Sequence, residues 1–194
     1  MCSNLFAQKL IDNREALRTG MTKELNLKGI NDFLFFIKTS PSPIIISNEF
    51  DVEGVEKYGY VNFEGYLFWK ENSKIFIKKF DYNDRFDVKE LKDFTGLEFA
   101  LQNSDKIKSE IVLPYKISST GENNTLVSPN EYQYDFYFHF GASEFEKKFT
   151  PNGLIKNDYS DPNLANINYS KNYNLKMIQL YKFCLIALEV FNEN

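Results

Sequence analysis

The sequence contains one histidine, His139, in a run that alternates apolar and polar residues from Glu131 to Phe140. Imidazole is the side chain whose ordinary titration falls near neutral pH, so any serine- or cysteine-based nucleophilic scheme in this chain has to use it. If Gly141 to Glu144 form a four-residue connection, Phe140 opposes Phe145, Phe136 opposes Phe149, and His139 faces Glu146 across a hairpin. A carboxylate there could orient the ring and hold its proton, which makes His139 and Glu146 the catalytic pair of a small hydrolase. The plainer reading is an exposed cross-strand pair worth about a few tenths of a kcal/mol. Ser143 lacks the GxSxG spacing of a nucleophile elbow, and a hairpin surrounds it where that motif needs a strand-to-helix turn.

Other chemistries find less support. Cys2 and Cys184 lie at opposite ends of the chain and form neither a CxxC motif nor a disulfide framework. Together with His139 they are too few for a structural zinc site. Asp81 to Asp84 begins like a calcium loop but lacks the alternating oxygen ligands, the central glycine and the closing glutamate. There is no GxGxxG and no GxxxxGK[ST] to cradle a phosphate. The expectation is therefore no metal and no cofactor. The sequons at Asn123 and Asn168 matter only in a eukaryotic secretory route, of which the sequence carries no other sign.

Charge narrows the partners. Twenty-seven acidic residues against twenty-three basic ones give a net charge of −4, and only Arg14, Arg18 and Arg85 among the basic residues are arginine. Tracking phosphates takes clustered positive charge and the bidentate arginine fork, so nucleic acid is not expected. Aromatic residues make up 16% of the chain, enough to place some tyrosine at a contact surface, although twenty-one asparagines also fit the bias of an AT-rich genome. The longest apolar run, Phe183 to Leu188, is far short of the roughly 20 residues that span a bilayer as a helix.

These residues are positioned by a chain that reads as one α+β domain, an antiparallel sheet packed against N-terminal, middle and C-terminal helices. Residues 1–20 admit two readings, and 21–194 form the domain. In the first, Ala7-Gln8 is the junction of a truncated bacterial signal peptide, which would place the protein in the periplasm or outside the cell. In the second, Ser3 caps an ordinary helix with Phe6, Leu10 and Leu17 on one face and its end at Thr19-Gly20, and the protein is cytoplasmic.

Phe33 to Ile37 and Ile44 to Ile46 read as strands separated by two prolines. A hairpin follows, with arms Tyr58–Lys70 and Lys74–Tyr82 joined through Glu71-Asn72-Ser73, Trp69 across from Phe76, Phe68 across from Ile77, and a bend or bulge at Gly59 or Gly65. Asp87 to Glu90 has the form of a capping box, and Leu91, Phe94, Leu97 and Leu101 predict a helix reaching about Gln102. Ser118 to Asn130 reads as an exposed loop. The last helix is predicted over Tyr173–Phe191, with Cys184 at the centre of a wide apolar arc as a buried, inert thiol.

In the second hairpin Tyr132, Tyr134, Phe136, Phe138 and Phe140 face the core, while Glu131, Gln133, Asp135, Tyr137 and His139 face water. Side chains on one face of a strand stand about 6.6–6.8 Å apart, so Asp135, Tyr137 and His139 make a ladder suited to a flat partner. The function expected is a non-enzymatic binding protein whose partner is another protein, as in a bacterial immunity-type or envelope accessory protein. The alternative is the hydrolase using His139.

Overall fold

The computed structural model describes residues 9–42, 44–45, 58–92, 94–117, 131–157 and 163–191. In chain order the elements are β1 (Lys9–Ile11), α1 (Arg14–Leu27), β2 (Asp32–Thr39), β3 (Ile44–Ile45), β4 (Tyr58–Tyr60), β5 (Phe63–Glu71), β6 (Lys74–Asp81) and β7 (Arg85–Leu91). They continue with α2 (Gly96–Gln102), α3 (Ser104–Ser109), β8 (Gln133–Phe140), β9 (Ser143–Phe149), α4 (Tyr169–Tyr173) and α5 (Lys176–Leu188). Six strands pair in the order β7-β6-β5-β2-β8-β9, antiparallel throughout, and β1, β4 and β3 form a separate small sheet. The α+β reading, helices on an antiparallel sheet, holds.

The large sheet is apolar on both faces because β2 carries Phe33, Leu34, Phe35, Phe36 and Ile37 without interruption, as a strand covered on both sides must. Leu34 and Phe36 join Phe68, Ile77, Phe136 and Phe138 in a core under α2, α3 and α5. Phe33, Phe35 and Ile37 join Leu67, Trp69 and Phe80 under Met21 and Leu25 of α1. Helix α1 thus occupies one face of the sheet and the other helices the opposite face.

The first hairpin has the expected register, with Trp69 opposite Phe76 and Phe68 opposite Ile77. Its turn is two residues, Asn72 and Ser73, both at positive φ (51° and 65°), the geometry that matches strand twist. The first arm is shorter than expected. It starts at Phe63, while Tyr58–Tyr60 leaves to pair with β1 and β3. The expected irregularity at Gly65 is absent: its ladder is regular, and the ring of Phe80, its cross-strand partner, lies over it so closely that a Cβ would collide with ring carbons. The bulge falls instead in β7, where Phe86 and Asp87 together oppose Lys79 of β6.

Three further expectations are corrected. The first helix starts at Arg14 and runs through Gly20 to Leu27; Leu10 belongs to β1, Leu17 packs with Met21 and Leu25 on the face toward the sheet, and Phe6 lies outside the described residues. Its stop is a Schellman motif: Gly29, at φ 74°, donates to the Asn26 carbonyl and Ile30 donates to that of Leu25, while buried Ile30 and Leu25 belong to one core. The capping box at Asp87 is not used, because residues Arg85–Leu91 complete the ladder of β6 and the helix begins only at Gly96. A short helix with the fully buried Ile107, α3, was not foreseen. The second hairpin closes through Gly141-Ala142 alone, with Gly141 at φ 57°, so every pairing shifts by two residues: Phe138 opposes Phe145 and Phe136 opposes Lys147.

Helix α5 is capped from outside. The Glu110 carboxylate accepts hydrogen bonds from the backbone N–H groups of Lys176 (3.0 Å) and Met177 (2.9 Å), an anion at the positive end of the helix dipole. The helix ends at Leu188 and passes into a 3₁₀ turn, Glu189–Phe191. Cys184 is buried beneath α5, as expected, and burial pushes its thiol far above the ordinary range. The expected signal junction, Ile46 of the second strand and the whole loop Ser118 to Asn130 lie outside the described residues. Among the described residues no helix is long and apolar enough to cross a membrane.

Candidate functional site

The polar face of β8 is not a wet surface, because α1 crosses the sheet above it. Asp135 is 1% exposed, and Tyr137 and His139 are half-buried. Tyr132, expected in the core, is exposed just before the strand, with the Lys38 ammonium 4.2 Å from its ring centre. The three site residues do share a face, opposite Ile37, Phe35 and Phe33 of β2 in that order.

His139 faces Glu144, and Glu146 faces Tyr137. The expected His139–Glu146 pair is therefore corrected. The shorter turn moves β9 by two residues, which keeps the same carboxylate-bearing face toward the histidine but substitutes Glu144. The Glu144 Oε1 lies 2.6 Å from His139 Nδ1, and the imidazole stacks on the Phe33 ring at 4.3 Å between centres and 7° between planes. Ring and carboxylate together hold the imidazole in one orientation.

At the other end, Arg14 of α1 binds three groups at once. Its Nη2 lies 2.6 Å from Asp12 Oδ2, while its Nη1 donates to Thr39 Oγ1 at 2.8 Å and lies 3.4 Å from Asp135 Oδ2. Asp135 also accepts from Gln133 Nε2 at 2.6 Å. Burial pushes the Asp135 carboxyl above its usual range despite these donors, whereas the hydrogen bonds from Arg14 hold Asp12 below it. Between the two ends the Arg18 guanidinium sits 4.4 Å above the Tyr137 ring centre, and burial pushes that phenol upward as well.

The result is a groove between α1 and the β8–β9 hairpin. One section, about 370 Å³, is lined by Arg18, Thr19, Thr22, Tyr137, His139 and Glu144 among others. The next, about 340 Å³, takes in Asp12, Arg14, Arg18, Tyr137, Glu146 and Lys148. Arg18, Tyr137 and Glu146 line both. Arg14, Arg18 and Thr22 were missed by reading the sequence for this site, though their four-residue spacing, offset by one residue from the Leu17-Met21-Leu25 stripe, is a helical signal.

The groove supplies cationic, anionic and hydroxyl groups on fixed supports. Among the described residues no three histidine, cysteine, aspartate or glutamate side chains converge as metal ligands. Comparison of the chain with protein-family models, with curated proteins and with solved structures finds no match, so its function has to be argued from the groove itself.

Proposed function

We propose that the chain is a binding protein and that the groove between α1 and the β8–β9 hairpin receives a polar segment of another protein. The observation that carries this reading is Arg18 packed on Tyr137 at the junction of the two groove sections. Arginine and tyrosine in a half-desolvated setting are the side chains that most often dominate contact energies. Exposed Glu144 and Glu146 on one wall and Thr19 and Thr22 on the other supply a polar rim. The ladder of Asp135, Tyr137 and His139 contributes unequally. Tyr137 and His139 reach the groove, and Asp135 acts by fixing Arg14.

The test is quantitative binding to a partner captured from the native host. Tyr137→Ala and Arg18→Ala should each weaken it at least tenfold with the melting temperature retained, and His139→Ala should change it modestly. Wild-type affinity in both of the first two variants would sink the proposal. One observation favours a second reading, a hydrolase: the 2.6 Å contact from Glu144 to Nδ1 leaves Nε2 of His139 as the proton-accepting position. Loss of a hydrolytic turnover in His139→Ala and Glu144→Gln, at unchanged stability, would establish it.

A further inference from the structure

Of the two outer strands of the large sheet, β7 is broken by its bulge at Phe86 and Asp87, a device that keeps an edge from pairing further. The other, β9, is regular from Ser143 to Phe149. Its hairpin closes through two residues, so Phe140 and Ser143 are a hydrogen-bonded pair. Alternate residues onward, Phe145, Lys147 and Phe149, then turn their backbone groups to β8. Those of Glu144, Glu146 and Lys148 point outward, and no other part of the chain bonds them among the described residues.

The same three residues carry their side chains on the α1 face, opposite His139, Tyr137 and Asp135 in that order, and form the outer rim of the groove. A second cleft, about 310 Å³, adjoins the strand from the side of α5. It is lined by Ile111, Val112 and Met177 together with Glu146, Lys147 and Lys148. Ile111 is 70% exposed there, an aliphatic side chain without cover. Lys147 points to this side, and the carbonyls of Lys108 and Glu110 already engage its ammonium.

We propose that the segment received by the groove is an extended strand that adds antiparallel to the outer edge of β9, its side chains alternating between the two clefts. This rests on the groove reading above and specifies its partner. Backbone bonds to Glu144, Glu146 and Lys148 supply attachment whatever the sequence, and the two clefts supply the selection. On the α1 face Lys148 calls for an acidic residue, and Glu146 and Glu144 for basic ones, because cross-strand neighbours of opposite charge stabilise. The two positions between face Phe145 and the aliphatic stem of Lys147, and call for apolar residues. Read in its own chain direction, the added strand is acidic, apolar, basic, apolar, basic. β9 of a second copy does not satisfy this pattern: paired with itself about Glu146 or about Lys147, it sets that residue against its own charge.

Calorimetric titration of the full chain with the blocked peptide Thr-Glu-Val-Lys-Val-Lys-Thr tests this. Saturable binding is expected. N-methylation of the first lysine, opposite Glu146, removes an N–H that bonds the edge and should weaken binding about tenfold or more. N-methylation of either valine, whose N–H points away from β9, should leave it unchanged. Glu146→Lys, folded by circular dichroism, should lose the peptide and prefer one carrying glutamate in place of that lysine. No binding at millimolar peptide, methylated valine as damaging as methylated lysine, or an unaltered preference in Glu146→Lys would each overturn strand addition. The two readings fail apart. A native partner weakened by Arg18→Ala and Tyr137→Ala, with a peptide indifferent to where the methyl sits, keeps the groove and overturns the strand. The methylation pattern, with native affinity in both variants, overturns the groove alone.

Discussion

Gly65→Ala is the substitution whose outcome the packing of the sheet determines most directly. In an ordinary strand the change gains about 0.5–1 kcal/mol, because alanine loses less conformational freedom on folding. Here the new methyl points into the ring of Phe80, which is fully buried and packed edge-on against Phe35 and Phe63, both at 6.1 Å between centres. The ring has no solvent to retreat into, and overpacking of that kind costs about 1–3 kcal/mol. At the central values of the two terms the clash prevails, and a net loss of roughly 1 kcal/mol follows. With a urea slope of about 2 kcal/mol/M, the unfolding midpoint falls by roughly 0.5 M. Phe80→Leu frees space beneath the same methyl while leaving a cavity of its own, so the double variant should lose less than the sum of the singles by at least about 0.5 kcal/mol. A Gly65→Ala midpoint at or above that of wild type, or strict additivity with Phe80→Leu, would refute the reasoning.

Three further outcomes follow from the contacts described. Asp135→Asn tests the raised carboxyl: the folded state holds this proton more tightly than the unfolded chain, so its ionisation makes stability fall as pH rises from the ordinary carboxylate value through the raised one. The variant should lack that decline in melting temperature, and an unchanged slope would count against it. Asp12 works in the opposite sense, stabilising above the ordinary carboxylate value and losing that contribution as pH falls through its lowered one. Glu110→Gln should cost about 1–3 kcal/mol in denaturant unfolding by replacing a charged cap on two helix N–H groups with a neutral one. Cys184, buried with its thiol shifted upward, should react with a disulfide reagent only at the rate of unfolding, and rapid labelling of the native protein would contradict its placement.

Local signals carried most of the fold. The runs Phe33–Ile37 and Lys74–Tyr82, the Trp69–Phe76 register and the apolar arc around Cys184 are periodicities that packing merely enforces. The failures share one physical cause, a local pattern that a longer-range demand outweighed. Asp87–Glu90 is a good helix start, yet β6 had an unpaired edge and Leu91 a place in the core. The hairpin at Gly141 admitted connections of two or four residues that keep the same residues on each face, so hydrophobic alternation could not separate Glu144 from Glu146. The groove itself was illegible from β8 alone. A strand's alternation says which side chains share a face, and nothing in it says that Arg14 and Arg18 stand opposite.

The place of β2 bears on how the chain folds. β2 pairs with β5 across the 23 residues between Thr39 and Phe63, and with β8 across about half the chain, Thr39 closing on Gln133. The hairpins β5–β6 and β8–β9 can each form locally in microseconds, but neither has a complete core until β2 lies between them. Docking the second hairpin closes the longest loop between paired strands among the described residues, and that entropic cost is met before the contacts that reward it exist. The rate-limiting event is then the capture of β8 by β2. Substitutions at Phe136 or Phe36 slow folding, whereas equally destabilising ones in α5 chiefly hasten unfolding.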